Sequence, residues 1–322
     1  MAMINGYPVK IAGTGKYIPE KTMTNFDFEK FLDTSDEWIQ SRSGIKKRHF
    51  AADDEKCSDL ACKAGLAALE EAGLRPDELD LIIVATNTPD TYCPCTSAKV
   101  QGKLGAKNAG AYDVFAGCTA SLTAMLTAIG GIAAGVWNNV LVVGAEDFAS
   151  VLEWNDRSTC ILFGDGAGAC VLTRSEEGGP RFVAGEVMAD GAKYDLISID
   201  KEEGRPSPVL RMKGAEVFRF VNTHLPPFIK GFCERSGVAP SEIDFWVLHQ
   251  ANTRIIDSLF KRLGVSTDRT MINLDNYGNT SAASLVVTLD EAMKEGRLRS
   301  GEKVLFTAFG AGMTLGALLY EA

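Results

Sequence analysis

Cys118, His249 and Asn279 are the residues of this chain whose types and surroundings could do chemistry. Cys118 follows a strand-like run, Tyr112-Asp113-Val114-Phe115-Ala116-Gly117, and precedes an uncharged helical stretch. Its sulfur is therefore expected at a helix N-terminus, among backbone N–H groups that have no partner. Such a position favours the thiolate and makes a cysteine nucleophilic near neutral pH. The competing reading, a cysteine that only fills apolar space, suits the other seven, at positions 57, 62, 93, 95, 160, 170 and 233.

Of the three histidines, His49 follows Lys46-Lys47-Arg48 and reads as a solvated basic-loop residue. His224, just before Leu225-Pro226-Pro227, reads as an exposed residue of a helix. His249 differs, because it closes the strand-like Phe245-Trp246-Val247-Leu248 and opens His249-Gln250-Ala251-Asn252. Strand exits are where α/β folds gather ligands and catalytic groups. Asn279, in Asn276-Tyr277-Gly278-Asn279-Thr280, would by default be a helix N-cap. Its relation to Cys118 through an internal repeat argues for another role.

That repeat defines the elements that must position these side chains. Gly73-Leu74-Arg75-Pro76-Asp77-Glu78-Leu79-Asp80 and Gly237-Val238-Ala239-Pro240-Ser241-Glu242-Ile243-Asp244 agree at Gly, Pro, Glu and Asp, 164 positions apart. Each copy follows a helical segment closed by Gly (66–72 and 228–236) and enters a strand (81–84 and 245–248). Val140-Leu141-Val142-Val143-Gly144 and Val304-Leu305-Phe306-Thr307-Ala308 keep the same separation. Cys118 to Leu122 falls near Asn279 to Leu285, and both stretches read as strand, Gly-containing turn and first helical turn. A duplicated α/β unit implies two similar sheets about a pseudo-two-fold axis, with halves at 1–172 and 173–322 and a site between them. Phe163-Gly164-Asp165-Gly166-Ala167-Gly168, between strand-like runs at 160–163 and 169–172, reads as a tight hairpin. With Phe309-Gly310-Ala311-Gly312 it gives no dinucleotide fingerprint, so no nicotinamide cofactor is expected.

Composition narrows the class. Apolar residues make up 46% and charged residues 23%, as in a globular chain with a large core. Lys and Arg number 33 against 42 Asp and Glu, a net charge of −9 that argues against a nucleic-acid partner. The eight cysteines lack the regular spacing of a secreted disulfide framework and are expected to be reduced, in the cytoplasm. Cys93-Pro94-Cys95 has no second pair and suggests no metal. Met1 to Tyr7 lacks the basic-then-apolar order of a signal peptide. Val114 to Ala145 is uncharged and long enough to span a bilayer, but Gly130-Gly131, Gly135 and Asn138-Asn139 interrupt it. A buried helix followed by a strand is expected there, and no membrane contact.

In order along the chain, Ser35-Asp36-Glu37-Trp38-Ile39, Cys118, Phe163-Gly164-Asp165-Gly166-Ala167-Gly168-Ala169, His249-Gln250-Ala251-Asn252 and Tyr277-Gly278-Asn279-Thr280-Ser281 resemble β-ketoacyl-acyl-carrier-protein synthase III of the thiolase superfamily. The resemblance runs from about residue 8 to the C-terminus. It implies an α/β, thiolase-like five-layered α-β-α-β-α subunit made of two duplicated halves, paired as a homodimer. The implied activity is a decarboxylative Claisen condensation of an acyl-CoA primer, acetyl-CoA first among candidates, with malonyl-acyl-carrier protein. The product would be 3-oxoacyl-acyl-carrier protein, initiating fatty-acid synthesis, with acyl-CoA a substrate and no cofactor.

By the same resemblance Cys118 matches the nucleophile, and its backbone N–H and that of Ala311 match the oxyanion hole. His249 and Asn279 match the pair that bonds the malonyl thioester carbonyl. Trp38 and Arg157 match residues that sandwich the adenine of CoA, and Arg42, Phe218 and Asn252 match further CoA positions. Carrier-protein docking is implied at Gln250, Ala251, Asn252, Thr253 and Arg254, with Arg219 and Lys213 beside them. Lys261 and Arg262 continue the basic face of that helix, and a surface pair of Arg254 with Asp257 is the alternative. Two departures stand out. Cys93 occupies the acyl-pocket gate where Phe is frequent, and Ala311 and Leu315 replace a Gly and a Trp. Two other readings stay open at this level: a related thiolase-fold acyltransferase of secondary metabolism, and a non-catalytic acyl-CoA or carrier-protein binding module.

Overall fold

The computed structural model describes residues 6–205 and 207–322, so Met1 to Asn5, part of the signal-peptide reading, lie outside the described residues. The first half of the chain runs β1 (Val9–Tyr17), β2 (Lys21–Thr24), α1 (Asn25–Phe28), α2 (Asp36–Ser43), β3 (Lys47–Phe50), α3 (Cys57–Ala72), β4 (Leu81–Ala85), α4 (Thr96–Leu104), β5 (Gly110–Val114), α5 (Ala120–Ala133), β6 (Asn139–Glu146) and β7 (Gly166–Arg174). The second runs β8 (Arg181–Ala189), β9 (Ile197–Asp200), β10 (Val209–Met212), α6 (Gly214–Arg235), β11 (Phe245–Leu248), α7 (Thr253–Leu263), α8 (Leu274–Tyr277), α9 (Ala282–Lys294), β12 (Lys303–Gly310) and β13 (Thr314–Glu321).

Two sheets carry the architecture, ordered β1-β7-β6-β4-β5 and β8-β13-β12-β11. They share a pairing scheme. β4 runs parallel to β6 and β11 to β12, while β6–β7 and β12–β13 are antiparallel. Among the described residues the second sheet has no full counterpart of β5; a single parallel bridge, Trp246 to Thr270, stands in that place. Short 3₁₀ turns at Pro76–Glu78 and Pro240–Glu242 precede β4 and β11, at the repeat's own spacing.

Side-chain alternation along the strands sets the layers. Leu81, Ile83, Val140 and Val142 face a central cluster that also holds Phe245, Val247, Val304 and Phe306, with α5 and α9 between the sheets. Ile82, Val84, Leu141 and Val143 face outward onto α3, and Trp246, Leu248 and Leu305 face outward onto α6 and α7. Burial on both faces is why these strands are continuously apolar. The order is α3 and α4, sheet, α5 with α9, sheet, α6 with α7: five layers. Glycine brings the central helix close, because a Cβ on Gly168 would lie 2.5 Å from the Val287 nitrogen of α9.

Local readings are revised at three places. The 160–163 stretch is a turn and β7 alone follows it, so the glycine-rich run is no hairpin. β7 continues to Arg174, which pairs with Val9, past the strand-like run read at 169–172. The helical segment read at 228–236 is the last part of α6, which runs 22 residues through Pro226 and Pro227. Proline at 226 removes the N–H that Asn222's carbonyl would accept, and Arg262 Nη1 donates to that carbonyl at 2.8 Å instead. The uncharged stretch is the buried α5 followed by β6, and among the described residues no helix is long and apolar enough to cross a membrane. All eight cysteines are free thiols.

Candidate active site

A cavity of about 580 Å³ is lined by Cys118, His249 and Asn279 together, with Asn87, Ser281, Gly310 and Ala311. Cys118 comes from the turn between β5 and α5, His249 from the exit of β11, and Asn279 from the turn before α9. The repeat thus delivers one chemical group from the first half and two from the second.

Cys118 lies two residues before α5, following Gly117 at φ +58°. The end of β12 is packed directly against it. A Cβ on Gly310 would collide with the Cys118 backbone nitrogen, and one on Gly117 would sit 2.6 Å from the Ala311 nitrogen. Both glycines are therefore required by close backbone approach. The Cys118 Sγ accepts a hydrogen bond from Ser281 Oγ at 3.1 Å. Burial pushes the thiol up to about 12, outweighing that hydrogen bond, and the nearby Glu146 carboxylate adds to the rise. Desolvation at the cavity floor thus opposes the thiolate that the helix terminus favours.

His249 is buried, donates its backbone N–H to Thr307 O at 3.0 Å, and meets Phe309 edge-on at 5.1 Å. Burial pushes its imidazole down to about 3, so the ring is neutral at physiological pH. Nδ1 lies 2.6 Å from Ser284 Oγ, which is also 2.7 Å from the Ser281 carbonyl. When the Ser284 hydroxyl donates to Nδ1, the ring proton resides on Nε2; when it donates to Ser281, Nε2 holds a lone pair.

Asn279 is fixed on both sides of its backbone. Its N–H donates to Leu162 O at 2.8 Å, and its carbonyl accepts from Gly164 N at 3.1 Å. Gly164 permits this, since a Cβ there would lie 2.5 Å from the Tyr277 carbonyl. The glycine-rich run is thus the bed of the Asn279 turn. Asn279 Oδ1 accepts from Ser281 N at 2.8 Å, which leaves the Nδ2 hydrogens as its donors. The N-cap of α9 is Ser281, so the default capping role does not apply to Asn279.

Sequence reasoning missed Arg48, filed with a basic loop. It is fully buried in β3, with its guanidinium 4.8 Å from the Phe28 ring. Its Nε donates to Ile161 O at 2.8 Å, and its Nη1 reaches Asn25 Oδ1. Arg48 therefore holds the 160–163 turn, and with it the seat of Asn279. No sequence pattern distinguishes it from Lys46 and Lys47 except alternation along β3. Arg48→Met leaves those acceptors orphaned and is expected to lower stability by about 2–4 kcal/mol in denaturant unfolding. His49 is likewise no solvated loop residue: it lies half-buried in β3 beside Tyr277, its pKa lowered by burial, while His224 is exposed as expected.

Trp38, Arg42, Arg157, Phe218, Asn252 and Arg254 all line the same cavity. Arg157 lies over the Trp38 ring at 4.9 Å and Arg42 at 5.9 Å. Arg254 is exposed and lies over Phe218 at 5.5 Å rather than standing as a simple surface pair with Asp257. Asn252 caps α7, accepting from Arg254 N at 2.9 Å, and ties it to Arg42 O at 2.9 Å. Ala251 lines the cavity, Thr253 packs against Gly44, and Arg219 is exposed. Lys213, also exposed, pairs with Asp195 at 2.6 Å. Gln250 is a correction: it is buried and bonded to Met271 O at 3.0 Å, so it offers nothing to a docking protein. Arg262 is exposed, with its Nη1 donating to Asn222 O at 2.8 Å. Cys93 is exposed and does not line the cavity of its own subunit, whereas Tyr92 does.

Two stacked, duplicated sheets with a cysteine, a histidine and an asparagine around one cavity define the thiolase-like class of condensing enzymes. Comparison with known proteins agrees. Residues 112–191 match the family model of 3-oxoacyl-[acyl-carrier-protein] synthase III, and residues 233–322 match the model of its C-terminal part. The β-ketoacyl-[acyl-carrier-protein] synthase III of Desulfitobacterium hafniense is 44% identical over 323 residues, covering 97% of each chain. The crystal structure of 3-oxoacyl-[acyl-carrier-protein] synthase III from Aquifex aeolicus superposes with a TM-score of 0.93 at 43% identity, covering 98% of this chain and 100% of that one. The priming β-ketosynthase of the R1128 polyketide pathway is similar at 32% identity and a TM-score of 0.92, covering 100% of this chain and 98% of that one. The chain belongs to the β-ketoacyl-acyl-carrier-protein synthase III family.

Proposed function

We propose that this chain catalyses the initiating condensation of fatty-acid synthesis: acyl-CoA and malonyl-acyl-carrier protein give 3-oxoacyl-acyl-carrier protein, CoA and carbon dioxide. The observation that carries this reading is that Cys118, His249 and Asn279, far apart in sequence, line one cavity. In the first half-reaction the Cys118 sulfur attacks the acyl-CoA carbonyl. The backbone N–H groups of Cys118 and Ala311, adjacent through Gly117 and Gly310, receive the oxyanion. The carbon–sulfur bond to CoA breaks, and the thiol proton leaves with the CoA sulfur.

In the second half-reaction the malonyl thioester carbonyl lies between Asn279 Nδ2 and His249 Nε2. Loss of carbon dioxide leaves an enolate whose oxygen these donors stabilise, with Ser284 donating to Nδ1 so that Nε2 carries the proton. The enolate carbon attacks the acyl-cysteine, a carbon–carbon bond forms as the carbon–sulfur bond to Cys118 breaks, and Cys118 departs as thiolate and takes one proton from solvent. The reading assigns no metal or organic cofactor to either step.

Trp38 and Arg157 are the proposed adenine clamp, with Arg42, Phe218 and Asn252 along the CoA path. Arg254, with Ala251, Thr253, Arg219 and Lys213, is the proposed receptor for the acidic carrier protein. Cys93 is proposed to act at the acyl-pocket gate of a homodimer. The reading also places the protein in the cytoplasm and treats 1–172 and 173–322 as duplicated halves, which the shared spacing of 164 residues supports.

The test supplies acetyl-, isobutyryl- and longer acyl-CoA with either malonyl-acyl-carrier protein or malonyl-CoA and measures the 3-oxo product. Product formed only with the carrier protein upholds the assignment. An acyl-enzyme that transfers to other acceptors but ignores malonyl-acyl-carrier protein would sink it.

A further inference from the structure

Ser281 is held at φ 47° and ψ −117°, the one non-glycine residue with positive φ among the described residues. It is also fully buried. A side chain in this left-handed region is strained and persists only where its surroundings determine it. Here each polar group of the residue is used. The N–H donates to Asn279 Oδ1 at 2.8 Å, the carbonyl accepts from Ser284 Oγ at 2.7 Å, and the hydroxyl reaches Cys118 Sγ at 3.1 Å.

The hydroxyl is contacted from behind as well. Asn87 Nδ2 donates to Ser281 Oγ at 3.2 Å and to Glu146 Oε1 at 2.6 Å, with Gly117 O a longer acceptor at 3.3 Å. Glu146 is fully buried and holds Asn87 from two sides, because its Oε2 accepts from Asn87 N at 3.0 Å and from Thr88 Oγ1 at 2.8 Å. Because Ser281 Oγ accepts from Asn87, its single hydrogen is left to donate, either to the sulfur at 3.1 Å or to the Glu146 carboxylate behind it.

We propose that Ser281 is a further catalytic residue, whose hydroxyl, aimed by Asn87 and the buried Glu146, stabilises the negative charge on Cys118 as it attacks and again as it is expelled. Its own proton stays on oxygen throughout; the thiol proton leaves separately with CoA. Asn87 and Glu146 are positioning residues. The role matters because burial disfavours the thiolate, so one donor on the sulfur changes how often it forms. The assignment rests on Cys118 being the acyl acceptor.

The test is carbamidomethylation of Cys118 by iodoacetamide, followed by peptide mass at several values from about pH 7.5 to 9.5. In it the thiolate displaces iodide and the proton passes to buffer. Ser281→Ala removes the hydroxyl and keeps the strain; Ser281→Gly removes both, because glycine adopts positive φ freely. Loss of a hydrogen bond to a charged sulfur raises its pKa by about one to two units, partly offset by the higher nucleophilicity of a more basic thiolate. Both variants are therefore expected to react about three- to tenfold more slowly at every pH, with parallel profiles. A Ser281→Gly variant that reacts at the parental rate overturns the proposal, whatever Ser281→Ala does, because backbone strain alone then explains the residue. Acetylation of the unsubstituted chain by acetyl-CoA is scored separately. Its absence removes the condensation reading, while the alkylation rates still report on Ser281.

Discussion

Cys118→Ala is expected to take up no acyl group from acetyl-CoA, whereas the unsubstituted chain gains one acetyl group per subunit by intact mass. Overall condensation should fall by at least about 10⁴-fold, the scale at which removal of a covalent nucleophile leaves only binding and oxyanion stabilisation. The structure makes this a single-site prediction. Cys57 and Cys170 are fully buried and do not line the cavity that Cys118 lines. Cys93, in contrast, is exposed. Alkylation alone would therefore label two kinds of cysteine, and the adduct must be located by peptide mapping. Acetyl found on Cys93, or retained in Cys118→Ala, would remove the sulfur on which the proposed reaction turns. The substitution should cost little stability, because Cys118 makes one side-chain hydrogen bond and the neighbouring glycines already set the local backbone.

The parts of this site legible in the sequence were those written by periodicity and by repeat. β4 and β11 are short apolar runs bounded by matching turns, so both their existence and their equivalence could be read from residues 73–84 and 237–248. Cys118 and Asn279 occupy corresponding turns for the same reason. What could not be read was set by contacts between distant segments. Pro226 and Pro227 stand inside a helix because Arg262, 40 residues beyond Asn222, donates to the carbonyl that Pro226 leaves without a partner. Arg48 sits among lysines, and nothing local shows that the 160–163 carbonyls await it. Gln250 belongs to a box otherwise exposed to the cavity, and only the Met271 carbonyl turns it inward. The burial that opposes ionisation of Cys118 was hidden for a related reason. The sequence shows the helix that follows the sulfur, but not how far the opposing β12 excludes water from it.

His249→Ala and Asn279→Ala should separate the two half-reactions. Both variants are expected to accept one acetyl group on Cys118, because neither side chain is assigned to the oxyanion of acylation. Both should lose about 10²- to 10³-fold in the rate of carbon dioxide release from malonyl-acyl-carrier protein, the effect of removing one preorganised donor from a developing oxyanion. Asn279 can supply Nδ2 because Oδ1 is occupied by Ser281 N, so Asn279→Asp, which places a carboxylate against the forming enolate, should be slower still. The pH dependence follows from burial. His249 is pushed down to about 3, so it is neutral above that value and becomes charged only as the pH falls towards it. Its neutral form predicts no inflection from His249 between about pH 5 and 8 in carbon dioxide release by the acetylated enzyme. A rate that instead climbs on acidification through the ordinary histidine range would mean that the imidazolium is the working donor. Equal loss of acetylation and carbon dioxide release in His249→Ala would mean that the histidine serves the cysteine rather than the enolate, which contradicts the division of labour proposed for the cavity.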